Sequence, residues 1–174
     1  MDESVAINPS LCRIYTRLEK ASDLKFVIVV ELNEGVMKKY QLKDDINVFG
    51  FEVKTFPNGI GDAFESLVKM VPEGLGRDFY GISFHDSENR MVYLATAREK
   101  HHGEAEKYQC NRYTIKKGDY ATETVWDWRK RTDLIKHVFE TLFKSIEGIA
   151  IGPCVEWYKD ENEMLCMVRL AQPH

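Results

Sequence analysis

Residues 47–71 read Asn47-Val48-Phe49-Gly50-Phe51-Glu52-Val53-Lys54-Thr55-Phe56-Pro57-Asn58-Gly59-Ile60-Gly61-Asp62-Ala63-Phe64-Glu65-Ser66-Leu67-Val68-Lys69-Met70-Val71. The first ten are rich in β-branched and aromatic side chains, the composition of a strand. Pro57-Asn58-Gly59 ends it. Ile60, Phe64, Leu67, Val68 and Val71 then recur at the spacing of an apolar stripe along an amphipathic helix. Pro72 and Gly74 stop that helix. Asp78 to His85 and Met91 to Ala97 read as strands around the turn Asp86-Ser87-Glu88-Asn89. The unit is strand, helix, hairpin.

Downstream, the polar stretch Glu99 to Lys107 reads as a surface loop. After it the unit recurs. Arg112 to Ile115 and Tyr120 to Trp126 are strand segments around Lys116-Lys117-Gly118-Asp119. Thr132 or Asp133 caps a helix whose buried stripe is Leu134, Ile135, Val138, Phe139, Leu142, Phe143 and Ile146, closed by Gly148. Cys154 to Tyr158 and Met164 to Leu170 form the last hairpin. Phe84-His85-Asp86-Ser87-Glu88-Asn89-Arg90-Met91 aligns with Tyr158-Lys159-Asp160-Glu161-Asn162-Glu163-Met164 when one turn residue is dropped. The fold class expected is α+β: tandem β-α-β-β modules, about 38–98 and 108–172, related by a pseudo-twofold axis. An antiparallel sheet, two main helices and a central cleft follow, and such internal interfaces are favoured ligand sites.

Upstream, residues 1–37 form an N-terminal extension. Leu11, Ile14, Tyr15 and Leu18 keep helical spacing, Phe26 to Leu32 reads as a buried strand, and Asn33-Glu34-Gly35 as a turn.

At 174 residues the chain needs no staple to bury a core. Its net charge of −4, with acidic and basic residues interspersed, argues against direct nucleic-acid binding. The cysteines, Cys12, Cys110, Cys154 and Cys166, show no zinc-ligand spacing. No secretory signal opens the chain and its longest apolar run is strand-sized, so a cytoplasmic, non-membrane protein is expected.

Candidate chemistry centres on Glu156. Strand alternation puts Cys154, Glu156 and Tyr158 on one face, Val155 and Trp157 on the other. If Val155 and Trp157 pack under the helices, Glu156 and Tyr158 face the cleft. There the carboxylate either stays charged and attracts a cation, or is desolvated with a raised pKa. The plain alternative is a solvated strand glutamate. Trp126 and Trp128 fall on one strand face with Tyr120, and Tyr80 occupies the corresponding region of the first hairpin. These rings either wall a ligand pocket or fill core. His101-His102-Gly103-Glu104 reads as a solvated loop rather than a metal site. No phosphate loop, zinc-protease motif or nucleophile elbow is present, and no cofactor is expected.

These residues resemble a family. Tyr40 to Phe56 with the following helix and Asp78-Phe79-Tyr80-Gly81 look like the first half of GyrI-like small-molecule-binding domains, which also serve AraC- and MerR-type regulators as effector-binding domains. Tyr113 to Ala121 is similar to their second-half opening strand, and Val155-Glu156-Trp157-Tyr158 to their Glu-x-Tyr signature. The resemblance covers about residues 38–172 and implies a cleft glutamate at Glu156 that counters cationic lipophilic ligands. It thus implies a standalone binder of amphipathic aromatic ligands, with Glu156, Tyr158, Trp126, Trp128 and Tyr80 as ligand-binding residues. It also implies two alternatives. One is a hydrolase of electrophilic small molecules with Glu156 and Tyr158 as catalytic pair; the other is a protein-binding module with DNA gyrase as partner.

Overall fold

The computed structural model describes residues 38–171 and the strands β1 (Arg13–Tyr15) and β2 (Val29–Glu31). The chain divides into two units, residues 1–36 and 37–174. In the first, β1 pairs antiparallel with β2. Ile14 and Tyr15, read above at helical spacing, are therefore strand residues. Both are also good strand formers, and the pairing with Val29 and Val30 decides between the two periods. Leu11, Leu18 and the Asn33-Glu34-Gly35 turn lie outside the described residues.

The second unit runs β3 (Lys38–Leu42), β4 (Ile46–Glu52), α1 (Ile60–Met70), β5 (Phe79–His85), β6 (Met91–Arg98), α2 (Glu104–Lys107), β7 (Asn111–Ile115), β8 (Gly118–Trp126), α3 (Thr132–Ser145), β9 (Ala150–Tyr158) and β10 (Glu163–Leu170). Its eight strands form one antiparallel sheet in the order β3-β8-β10-β9-β5-β6-β4-β7. The order is a palindrome of roles: β3 matches β7, β4 matches β8, β5 matches β9 and β6 matches β10. Two modules thus meet at the central β5–β9 pair, as the pseudo-twofold reading requires. Each module's opening strand pairs with the other module, β3 on β8 and β7 on β4.

This exchange forces the sheet to curl. In a flat sheet, β3 and β4 stand six positions apart, roughly 29 Å at normal strand spacing. The link 43–45 reaches at most about 14 Å. The two-residue link 116–117 imposes the same closure at the other edge. Arg112 to Ile115 and Tyr120 to Trp126 therefore form no hairpin with each other, because each strand is claimed by a different half.

Curling gives the sheet an inside and an outside. Inside lie Leu42, Ile46, Val48, Tyr80, Ile82, Leu94, Ile115, Tyr120, Val155, Leu165 and Met167, with Trp157 packed against them. Outside, Leu67 of α1 joins Phe49, Phe79 and Tyr93. Phe139 and Leu142 of α3 join Val125, Met164, Cys166 and Val168 in the other half. Val155 and Trp157 thus face away from the helices, opposite to the packing assumed above. Glu156 and Tyr158 lie on the helix side.

Smaller departures have local causes. Val53 N–H makes the last bond to β6, at Tyr93 C=O, and the chain then turns back, with Phe56 N–H bonded to Val53 C=O, so β4 stops before Phe56. Helix α3 starts without a side-chain cap, so neither Thr132 nor Asp133 acts as one. The 99–107 stretch is not a plain surface loop: Glu104 and Ala105 are buried.

Candidate functional site

Glu156 faces Gly81, the middle pair of the five that join β9 to β5 at the centre of the sheet. This position lies beside the pseudo-twofold axis and on the side that carries both helices. A Cβ at Gly81 would collide with the Tyr93 hydroxyl and lie 2.6 Å from Glu156 Oε2. The missing side chain is what lets those groups settle onto the strand.

Glu156 is 8% exposed. Tyr93 Oη donates to Oε2 at 2.7 Å and Tyr158 Oη donates to the same oxygen at 2.5 Å, the two hydroxyls lying 3.3 Å apart. Rings close over them. Phe56 stacks on Tyr93 at 5.0 Å between centroids. Phe64 of α1 and Trp128 meet Tyr158 edge-on at 5.0 and 4.7 Å. Glu156 therefore sits beneath an aromatic roof supplied by both modules, not in an open cavity.

Among the described residues, no Lys, Arg or His pairs with Glu156. Burial pushes its pKa above the ordinary carboxylate value, and the two tyrosine hydrogen bonds pull the other way. Burial and the nearby carboxylate hold both tyrosines well above their usual range, so they stay neutral donors. The arrangement is a desolvated acid with two O–H donors and no countercharge of its own.

The candidate residues separate. Tyr158 and Trp128 join Glu156; Tyr80 and Trp126 do not. Tyr80 is buried inside the curled sheet, stacked on Trp157 at 5.9 Å. Trp126 shares the face of Tyr120, opposite Val125, and is half exposed. Trp128 leaves that face because Asp127 takes a left-handed conformation, φ 51°, and the chain turns into a short 3-10 segment. Its indole Nε1 then donates to Asp160 C=O at 3.0 Å.

Tyr93, Phe56, Phe64 and Gly81 escaped the sequence reading as site residues. Gly81 carried a usable signal, since a glycine inside a strand marks a close approach. Phe56 carried none, being written into a strand pattern that the chain abandons after Val53.

Glu104 of the His101-His102-Gly103-Glu104 segment is committed to Arg77, at 2.9 Å. Among the described residues, no cluster of His, Cys, Asp or Glu is placed to hold a metal ion. Nor is any helix among them long and apolar enough to cross a membrane.

No family model and no curated protein matches the chain. Solved structures do share its fold. A Vibrio cholerae integron cassette protein aligns at 12% identity and TM-score 0.56, over 77% of this chain and 95% of its own. A Staphylococcus aureus protein named for bacterial transcription regulation aligns at 10% identity and TM-score 0.55, over 79% and 99%. SAV2435, solved bound to tetraphenylphosphonium, aligns at 9% identity and TM-score 0.59, over 78% of this chain and 94% of its own.

Proposed function

We propose that the chain is a GyrI-like binder of lipophilic aromatic cations, with Glu156 as the counter-ion. The observation that carries this reading is a carboxylate buried on the symmetry axis beneath aromatic rings, with no cationic partner among the described residues. A buried charge is normally paired, because desolvating it alone costs several kcal/mol, at least about 3 when a partner is removed. A cation from outside supplies the missing partner. The rings add cation–π attraction, roughly 2 kcal/mol in a desolvated setting. Tetraphenylphosphonium, the molecule bound to SAV2435, has this chemistry: delocalised positive charge under four phenyl groups. Phe56, which is 38% exposed, and Trp128 swing aside to admit the ligand.

Titration with tetraphenylphosphonium, followed by intrinsic tryptophan fluorescence, tests the reading. Glu156→Gln is expected to weaken binding roughly tenfold or more, while neutral triphenylphosphine oxide binds both proteins alike. Equal loss for cation and neutral compound would point to disrupted packing and defeat the counter-ion role.

A hydrolase is the second reading, favoured by one observation: an acid of raised pKa in contact with two hydroxyl donors suits general acid–base work on an electrophile. In that case Glu156→Gln abolishes turnover of epoxide or ester substrates while their binding persists.

A further inference from the structure

At one end of the curled sheet, a wide-open cavity of about 550 Å³ lies between Gln41, Leu42, Lys43, Lys117, Gly118 and Arg169. It is built by the exchanged strand: Leu42 at the end of β3 pairs with Gly118 at the start of β8, and Arg169 of β10 pairs with Tyr120 of β8. Three of the six lining residues are cationic and none is acidic. The nearest acids are otherwise engaged. Asp45 accepts from Lys116 Nζ at 3.0 Å and from the Lys117 backbone N–H at 2.8 Å. Asp119 accepts from the Gln41 amide at 3.4 Å.

Arg169 is the informative member. It lies on the inner face of β10, in step with Leu165 and Met167, yet its Nε is buried and has no hydrogen-bond partner. Among the described residues, no carboxylate pairs with its guanidinium, and none pairs with Lys43 or Lys117. Gly118 lets the guanidinium lie close against β8: a Cβ there would lie 3.2 Å from Nε and 3.5 Å from Nη2. Native structures rarely leave a buried donor idle, and an unpaired Nε–H on an arginine lining a cavity is a donor that a bound anion would satisfy.

We infer that this cavity is an anion site for a phosphate group, held by Arg169 with Lys43 and Lys117. A guanidinium takes tetrahedral phosphate oxygens through paired N–H bonds, and lysines add point charge at the rim. A single carboxylate would balance only one of the three cations. A phosphate carries close to two negative charges and more acceptor oxygens. The group belongs either to a free phosphate or to a phosphorylated metabolite.

Calorimetric titration of the full chain at low salt tests this, using inorganic phosphate, pyrophosphate, glycerol phosphate and citrate. The expected result is saturable binding of at least one phosphate compound, citrate being weaker by roughly tenfold. Tighter binding of the ester than of inorganic phosphate identifies a metabolite as the source, and the reverse a free ion. Arg169→Gln alters a strand inside the sheet, so the exposed pair Lys43→Gln/Lys117→Gln is measured beside it. That double variant is expected to keep its circular dichroism and lose roughly tenfold in phosphate affinity. Absence of saturable heat to about 10 mM, citrate binding as tightly as phosphate, or an unchanged affinity in the folded double variant would each overturn the assignment.

Discussion

Glu156 ties the stability of the protein to pH in a direction opposite to most carboxylates. Its pKa in the fold is raised above 4.5, chiefly by burial. Between that value and the raised one, the folded chain holds a proton that the unfolded chain has lost. Stability from this group is therefore complete below the unfolded pKa and drains away as pH rises through the folded one. Glu156→Gln is expected to raise the melting temperature at neutral pH, the difference closing as pH falls toward 4.5. A cationic ligand reverses the bias, since it binds the ionised form, and its affinity should climb with pH until Glu156 is fully ionised. Gly81→Ala tests the floor beneath the carboxylate. The new Cβ meets the Tyr93 hydroxyl, so a cost of roughly 1–3 kcal/mol is expected in urea denaturation, together with loss of ligand binding. At this scale the sequence was half legible. Alternation paired Glu156 with Tyr158 because period 2 is a property of the strand itself. It could not supply Tyr93, which comes from 63 residues away, nor expel Tyr80, whose parity places it inside once the sheet curls.

The elements were the most readable level. Helix α1 begins at Ile60 as its stripe dictates, and the two hairpins fall where Asp86 and Asp160 were read as turn residues. The aligned Phe84 and Tyr158 nevertheless face opposite sides of the sheet, Phe84 inward and Tyr158 toward the helices. The likeness is one of turn chemistry, displaced by a residue from the strand register. The 99–107 segment shows what polarity alone conceals. Arg77 has no exposed side-chain surface and joins Glu104 at 2.9 Å and Glu73 at 2.5 Å. Glu104 also accepts from the backbone N–H groups of Lys100 and His101. Burial pushes its pKa up, but these bonds and the guanidinium outweigh that and hold it below its usual value. The cluster docks α2 beside β4, where Tyr108 stacks on Phe49 at 5.6 Å. Arg77→Met leaves Glu104 buried without its partner, and about 3–5 kcal/mol of lost stability is expected. Adding Glu104→Met should recover part of it, since removing both charges ends the desolvation cost that removing one exposes. Denaturant midpoints of the two variants decide the point.

For the unit of residues 37–174 the decisive feature is the exchange of β3 and β7, which no pattern in the sequence announces. Local periodicity reports which residues pair within a hairpin, whereas an edge strand that crosses to the other module is fixed only by long-range register. Its consequence is mechanical. Neither module can complete its own sheet: β8 needs β3 from the first half, and β4 needs β7 from the second. Glu156 depends on the same union, lying in the second module with Tyr93, Phe56 and Phe64 from the first. The unit should therefore unfold as one, despite its two-module symmetry. All three tryptophans, Trp126, Trp128 and Trp157, belong to the second module, so indole emission follows that half alone while far-ultraviolet circular dichroism follows both. The two urea curves for the 37–174 unit are expected to coincide in midpoint and slope. A fluorescence transition separated from the dichroism transition would mean that the modules fold independently, and the exchanged strands would then contribute little to holding the site together.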